Sequence, residues 1–226
     1  LMLHLTALEP DLEAGLLIFS LCAGAAFLIK LTQTAEHEVS PGAALMTLLM
    51  TVTVIYVPIA LPLFLSGLQV NAGAIAATLV LQLLLPIALG MLFVQLEPES
   101  AAKLRPAIGR LSNVALNTLI AATLVGYFPN MLAIIGTGAI LVGLLYLLVA
   151  FITGYLMGAG KDHLQNVGGL ATAQRNTAAA MIIAVQNFSN YPDVLVIITI
   201  VNTLGIVMLT FIAKRLSRTS KVLDAA

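Results

Sequence analysis

Charge is scarce in this sequence, and cysteine and histidine are scarcer. Only 9% of the 226 residues are charged, one residue is cysteine and three are histidine. Cys22 alone cannot build a disulfide framework, and no cysteine and histidine spacing suggests a metal cluster. His4, His37 and His163 stand apart near expected loops and read as solvated surface residues. The formal net charge is zero, which leaves no electrostatic case for nucleic acid. The sequence contains no HExxH, and no aspartate pair or Ser/His pairing falls at membrane depth, so no enzyme activity is expected. No basic segment precedes the first apolar run, so no signal peptide is expected.

Apolar residues are abundant: 60% of the chain is hydrophobic, in runs of about 20 that recur along nearly its whole length. Such runs predict an all-α polytopic membrane protein. A β-barrel would alternate polar and apolar residues over about ten positions, and these runs do not alternate. Seven transmembrane helices are expected, at about 13–33, 42–67, 72–95, 106–127, 131–158, 164–187 and 192–214. Short joints carry breakers such as Ser40-Pro41-Gly42, Glu97-Pro98-Glu99 and Gly158-Ala159-Gly160. No linker is long enough to separate soluble domains, so residues 1–226 read as a single transmembrane domain.

Lys and Arg near span ends stay on the cytoplasmic side. Lys30, Lys103, Arg105, Arg110, Lys161, Lys214, Arg215, Arg218 and Lys221 all fall on one side when loops alternate. That places the C-terminus in the cytoplasm, in what is expected to be a bacterial inner membrane, and the start of the chain outside. Tyr127, Phe128, Phe188 and Tyr191 then gather at outer span ends, as interfacial aromatics or as packing between helices. Pro58, Pro62 and Pro86 are expected to kink their spans. The small residues Cys22 to Ala26 allow another backbone to approach closely.

Polar residues inside the spans need partners. Asn113 and Asn117, and likewise Thr199, Asn202 and Thr203, form patches that face other helices, either as interhelical hydrogen bonding or as a site. Thr51 and Thr53 diverge around their helix, and a threonine can satisfy itself on the carbonyl one turn back. The run Thr172-Ala173-Gln174-Arg175-Asn176-Thr177 is different in kind, because it sits at the middle of span 164–187. An arginine at the bilayer centre costs roughly 2.5–3.5 kcal/mol on insertion scales, so it faces protein, water or a ligand. Gly168 and Gly169, just upstream, are expected to loosen the helix and break it. Every Asp and Glu lies in a loop, a tail or at a span end. The guanidinium is therefore met by backbone carbonyls of a broken helix, by an acid from a segment not present, or by an anionic substrate.

The stretch from Gly168 to Ala180, GGLATAQRNTAAA, resembles the second broken helix of the bile acid:sodium symporter family. Val57-Pro58-Ile59-Ala60-Leu61-Pro62 is similar to that family's helix after its first break, and Cys22 to Ala26 resembles the break itself, with Gly24 as the helix-break residue. The resemblance implies a fold of ten helices in two inverted repeats of five, with two crossing broken helices. The seven spans would be the last seven, so an N-terminally truncated member is expected, completed by missing N-terminal helices or by a homo-oligomer. Asn176 falls on an asparagine that the family uses at the crossing, and Arg175 replaces a neighbouring glutamine that binds sodium. Thr51 and Thr53, with Gln174, become candidate ion-binding residues, and a sodium ion the candidate ligand; no other cofactor is implied. Two positions depart from the family: Ala171 stands where a glutamate joins the two sodium sites, and Leu28-Ile29 replace a Ser-Asn pair.

These readings converge on a secondary transporter of a small organic anion in the lipid bilayer. Arg175, Asn176, Gln174, Thr172 and Thr177 are the expected substrate-binding residues. The alternative is a non-transporting membrane sensor or assembly partner in which Arg175 is structural.

Overall fold

The computed structural model describes residues 8–25, 27–65, 71–158 and 162–224. Lys161 and His4, and the side chains of His163, Arg218 and Lys221, lie outside what is described. With few charges to solvate it, a chain in lipid must satisfy its backbone within helices, and the elements are helices: α1 (Pro10–Leu21), α2 (Phe27–Thr34), α3 (Val39–Phe64), α4 (Ala72–Leu79), α5 (Leu85–Leu96), α6 (Pro98–Gly126), α7 (Phe128–Ile134), α8 (Ala139–Met157), α9 (Asp162–Ala173), α10 (Thr177–Asn187) and α11 (Pro192–Asp224). Among the described residues the only β-type pairing is one isolated antiparallel bridge, between Ala23 and Arg175.

Among the described residues, four helical stretches are long and apolar enough to cross a membrane: Val39–Phe64, Ala72–Leu96, Ala139–Met157 and Pro192–Ser217. Two of the expected spans, 13–33 and 164–187, instead fall on pairs of half-helices, α1 with α2 and α9 with α10. Neither half alone reaches the roughly 20 residues that a crossing needs. In the stretch Ala72–Leu96 the joint between α4 and α5 is a π-helical turn, Val80–Leu84, closed by the Leu85 N–H on the Val80 carbonyl. Pro86 follows at once; its ring cannot sit against the Gln82 carbonyl in regular α geometry, and a wider turn relieves the clash. Pro58 and Pro62 lie inside α3 without ending it.

Two apolar cores flank the two interruptions. One gathers Leu12, Phe19, Ile183 and Ile197 from α1, α10 and α11. The other gathers Leu28, Leu31, Leu170 and Leu209 from α2, α9 and the far end of α11. Each broken span therefore starts in one core and finishes in the other. Between helices in lipid, burial carries little hydrophobic transfer energy, so dispersion contacts and interhelical hydrogen bonds hold these cores together.

Gly168 and Gly169, expected to break their helix, lie inside α9, and the interruption comes later, at Gln174–Asn176. The two glycines serve close approach instead. A Cβ at Gly168 would stand 2.8 Å from the Gly154 carbonyl oxygen, and one at Gly169 would stand 2.8 Å from the Phe151 ring. A pair of glycines in a helix is compatible with helix when the neighbour's backbone fills the space. His37, expected at the surface, is half-buried and shares a 2.9 Å hydrogen bond with Asn166 of α9. Phe188 is buried in the first core, so it packs between helices, whereas Phe128 is exposed.

Candidate functional site

Residues 22–25 and 174–176 leave their helices at the same place and meet there. Gly24 takes φ +76°, a conformation that only glycine adopts freely, and a Cβ on it would lie 2.5 Å from the Met50 nitrogen. Its α3 neighbour thus runs against the bare backbone. An interruption in lipid frees backbone groups that need partners, and those of Ala23 and Asn176 find them in another element. Thr53 of α3 serves Ala23 twice: its hydroxyl oxygen accepts from the Ala23 N–H and donates to the Ala23 carbonyl, both at 3.0 Å. The Asn176 N–H donates to the Cys22 carbonyl at 2.9 Å, beside the bridge that joins Ala23 to Arg175.

Arg175 is 8% exposed and stands between the C-terminal ends of α1 and α9. Its Nη1 donates to the Ser20 carbonyl at 3.0 Å and its Nη2 to the Thr172 carbonyl at 2.6 Å. The guanidinium carbon lies 5.0 Å from the centroid of the Tyr146 ring, and the Tyr146 hydroxyl donates to the same Ser20 carbonyl at 3.0 Å. Carbonyls at a helix C-terminus carry partial negative charge, and an aromatic face attracts a cation. Backbone carbonyls, one of the three kinds of partner expected for this arginine, thus meet two of its nitrogens.

The neighbouring side chains are fixed by what they hold. Asn176 caps α10, its Oδ1 accepting from the Ala179 N–H at 3.1 Å, so its Nδ2 must point elsewhere. Gln174 donates from Nε2 to the Arg175 carbonyl at 3.2 Å, which leaves its Oε1 free to accept. Three buried side-chain atoms at the crossing have no partner: Gln174 Oε1, Arg175 Nε and Asn176 Nδ2. They belong to consecutive residues and comprise one acceptor and two donors. A buried polar atom left unpaired costs on the order of 1–3 kcal/mol, so three on consecutive residues call for a polar partner such as water, an ion or a solute.

Not every expected residue arrives here. Thr172 donates its hydroxyl to the Gly168 carbonyl, one turn back, and packs against Gly154 of α8; only its carbonyl serves the crossing. Thr177 gives its hydroxyl to Asn202 Oδ1 of α11. Thr51 is exposed and donates to the Thr47 carbonyl at 2.9 Å, so it does not join Thr53. Thr53 itself is spent on Ala23 in both directions. Two contributors were absent from the expected set, Ser20 through its carbonyl and Tyr146. A phenol in the middle of an apolar span needs a partner for its hydroxyl, and that was the signal available for Tyr146. A cavity of about 250 Å³ lies one layer away between α1, α3 and α8, with Ser20, Tyr56 and Tyr146 among its lining.

The guanidinium opposes a second cation close to it. Any cation about 4 Å from the guanidinium would meet a repulsion of roughly 4 kcal/mol at an effective dielectric of about 20. The interrupted helices also aim the N-termini of α2 and α10 at the crossing, and helix N-termini favour negative charge.

The family model described as Sodium Bile acid symporter family matches residues 1–134, more than half of the 226-residue chain. The matched part ends at the last residue of α7, so it contains the first interruption and Thr53 and stops short of Arg175. No curated protein matches the chain.

Proposed function

The chain belongs to the sodium bile acid symporter family, and on that premise we propose that this integral membrane protein is a secondary transporter moving a small organic anion by alternating access. The observation that carries the reading is the trio of unpartnered atoms on Gln174, Arg175 and Asn176 where the two interrupted spans cross. The Arg175 Nε–H and the Asn176 Nδ2–H would donate to the anion, and Gln174 Oε1 would accept from a hydroxyl or a water that it carries. Thr172 and Thr177 support this set from behind, one through its carbonyl and one by tying α10 to α11 through Asn202. The three residues are sealed, at 3%, 8% and 3% exposure. A solute reaches them only when the elements over them part, first on one side of the membrane and then on the other. Lys214 and Arg215, near the end of the apolar stretch Pro192–Ser217 of α11, would face the cytoplasm.

The test is uptake of a panel of radiolabelled carboxylates and sulfonates into proteoliposomes. Arg175→Lys keeps a positive charge and loses the Nε–H. A hydrogen bond to a charged group contributes about 1.5–3 kcal/mol, so uptake is expected to fall roughly ten- to hundredfold. No flux of any panel member by the wild type, or unchanged flux in the lysine variant, would overturn the proposal.

A further inference from the structure

A sodium ion requires several oxygen ligands converging on one point. At this crossing the converging oxygens already have a cation. The Ser20 carbonyl ends α1 and the Thr172 carbonyl ends α9, and both accept from Arg175, at 3.0 and 2.6 Å. Carbonyls at the C-terminal ends of half-helices are the groups with which interrupted transporter helices hold coupling cations. The Tyr146 face closes a third side of the guanidinium at 5.0 Å. Thr53, expected to offer an oxygen, has its hydroxyl engaged twice with Ala23. Among the unpartnered buried side-chain atoms at the crossing, a single one, Gln174 Oε1, can accept. The donor set present here does not fit sodium.

We infer that Arg175 is a tethered cation: its guanidinium permanently fills the place between the ends of α1 and α9 that a mobile cation would otherwise occupy, so the crossing takes its solute without sodium. The charge balance follows. Each helix C-terminus contributes about half a negative charge and each N-terminus about half a positive one. The guanidinium offsets the ends of α1 and α9, and the N-termini of α2 and α10 are left with about one positive charge between them. That remainder matches a monoanion. The functional meaning rests on the transport reading above; the filling of the cation position does not.

The experiment therefore reads sodium binding and needs no solute. The full chain, purified in detergent, is unfolded thermally in sodium chloride and in choline chloride at matched ionic strength. The wild type is expected to unfold at the same midpoint in both, and so is Arg175→Lys, which keeps the charge in place. Arg175→Gln is expected to unfold earlier in choline chloride and to gain a saturable rise in sodium, about 5–10 °C at a hundredfold excess over the dissociation constant. A saturable sodium-dependent rise in the wild type, or an Arg175→Gln variant indifferent to sodium, overturns the inference. Should Arg175→Gln not fold in either salt, equilibrium binding of radioactive sodium to the wild type decides: no saturable binding supports the tethered cation, and saturable binding rejects it. Sodium indifference without anion flux would remove the transport reading and leave this one standing, and sodium binding with anion flux would do the reverse.

Discussion

Removing the Thr53 hydroxyl strips both partners from Ala23, whose N–H and carbonyl it serves at 3.0 Å each. Thr53→Val keeps the shape and leaves two backbone groups unpaired near the middle of the molecule. At about 1–3 kcal/mol for each orphaned group, the variant is expected to lose on the order of 2–6 kcal/mol, and Thr53→Ser to recover most of it. Thermal or denaturant unfolding in detergent measures both, and a valine variant as stable as the wild type would refute this role. At this scale the sequence is legible in part. That Arg175 needs a partner follows from its depth alone, but which partner does not, because Ser20 lies 155 positions away along the chain. Thr53 gives no warning either. Thr47 and Thr51 on the same helix each bond to the carbonyl four residues back, which is the local habit of the residue. Only the interruption opposite Thr53 makes it do otherwise.

Among the elements, the pairing of α8 with α9 depends on residues without bulk. A Cβ at Gly154 would collide with the Thr172 side chain and with the Gly168 carbonyl. Gly154→Val should force the two helices apart and cost about 1–3 kcal/mol through overpacking. It should also disturb the crossing, since the Thr172 carbonyl holds Arg175. Gly90→Ala on α5 is the matched control: a Cβ there meets nothing within 4 Å, and alanine favours helix. The expected result is a lowered unfolding midpoint for Gly154→Val and none for Gly90→Ala; equal effects would show that packing against α9 is not the cause. The glycine pair also marks what a sequence can mislead about. Gly168 and Gly169 weaken a helix in isolation, yet here the neighbouring backbone of α8 makes them an interface. The break falls instead at Gln174–Asn176, where Asn176 caps a new helix through Ala179. Asn176 drew attention in the sequence as a residue of the crossing and not as a cap, and the close approach of α8 that keeps the glycines helical was not visible there at all.

For the molecule as a whole, similar sequences end in unlike surroundings. The stretches Ala72–Leu96 and Pro192–Ser217 are of nearly equal length and hydropathy, but 6% of the first window is buried inside the protein and 50% of the second. Hydropathy records that a segment prefers lipid or core to water and cannot tell the two apart, which is why the apolar runs were readable and the packing was not. No side chain of α5 is buried among those described, while α10 buries Ala179, Ala180, Met181, Ile183 and Ala184. Local opening free energy rises with the packed contacts that opening must break. The detergent belt shields both stretches alike, so a difference in hydrogen exchange between them reports packing and not access to water. Amides in α5 are expected to exchange well before those of α10 and of residues 194–201 in α11, where Val194, Ile197, Ile198 and Val201 are fully buried. If exchange proves uniform across these helices, the division between a packed crossing core and a loosely held α5 is wrong, and α5 is held by contacts that the buried surfaces do not reveal.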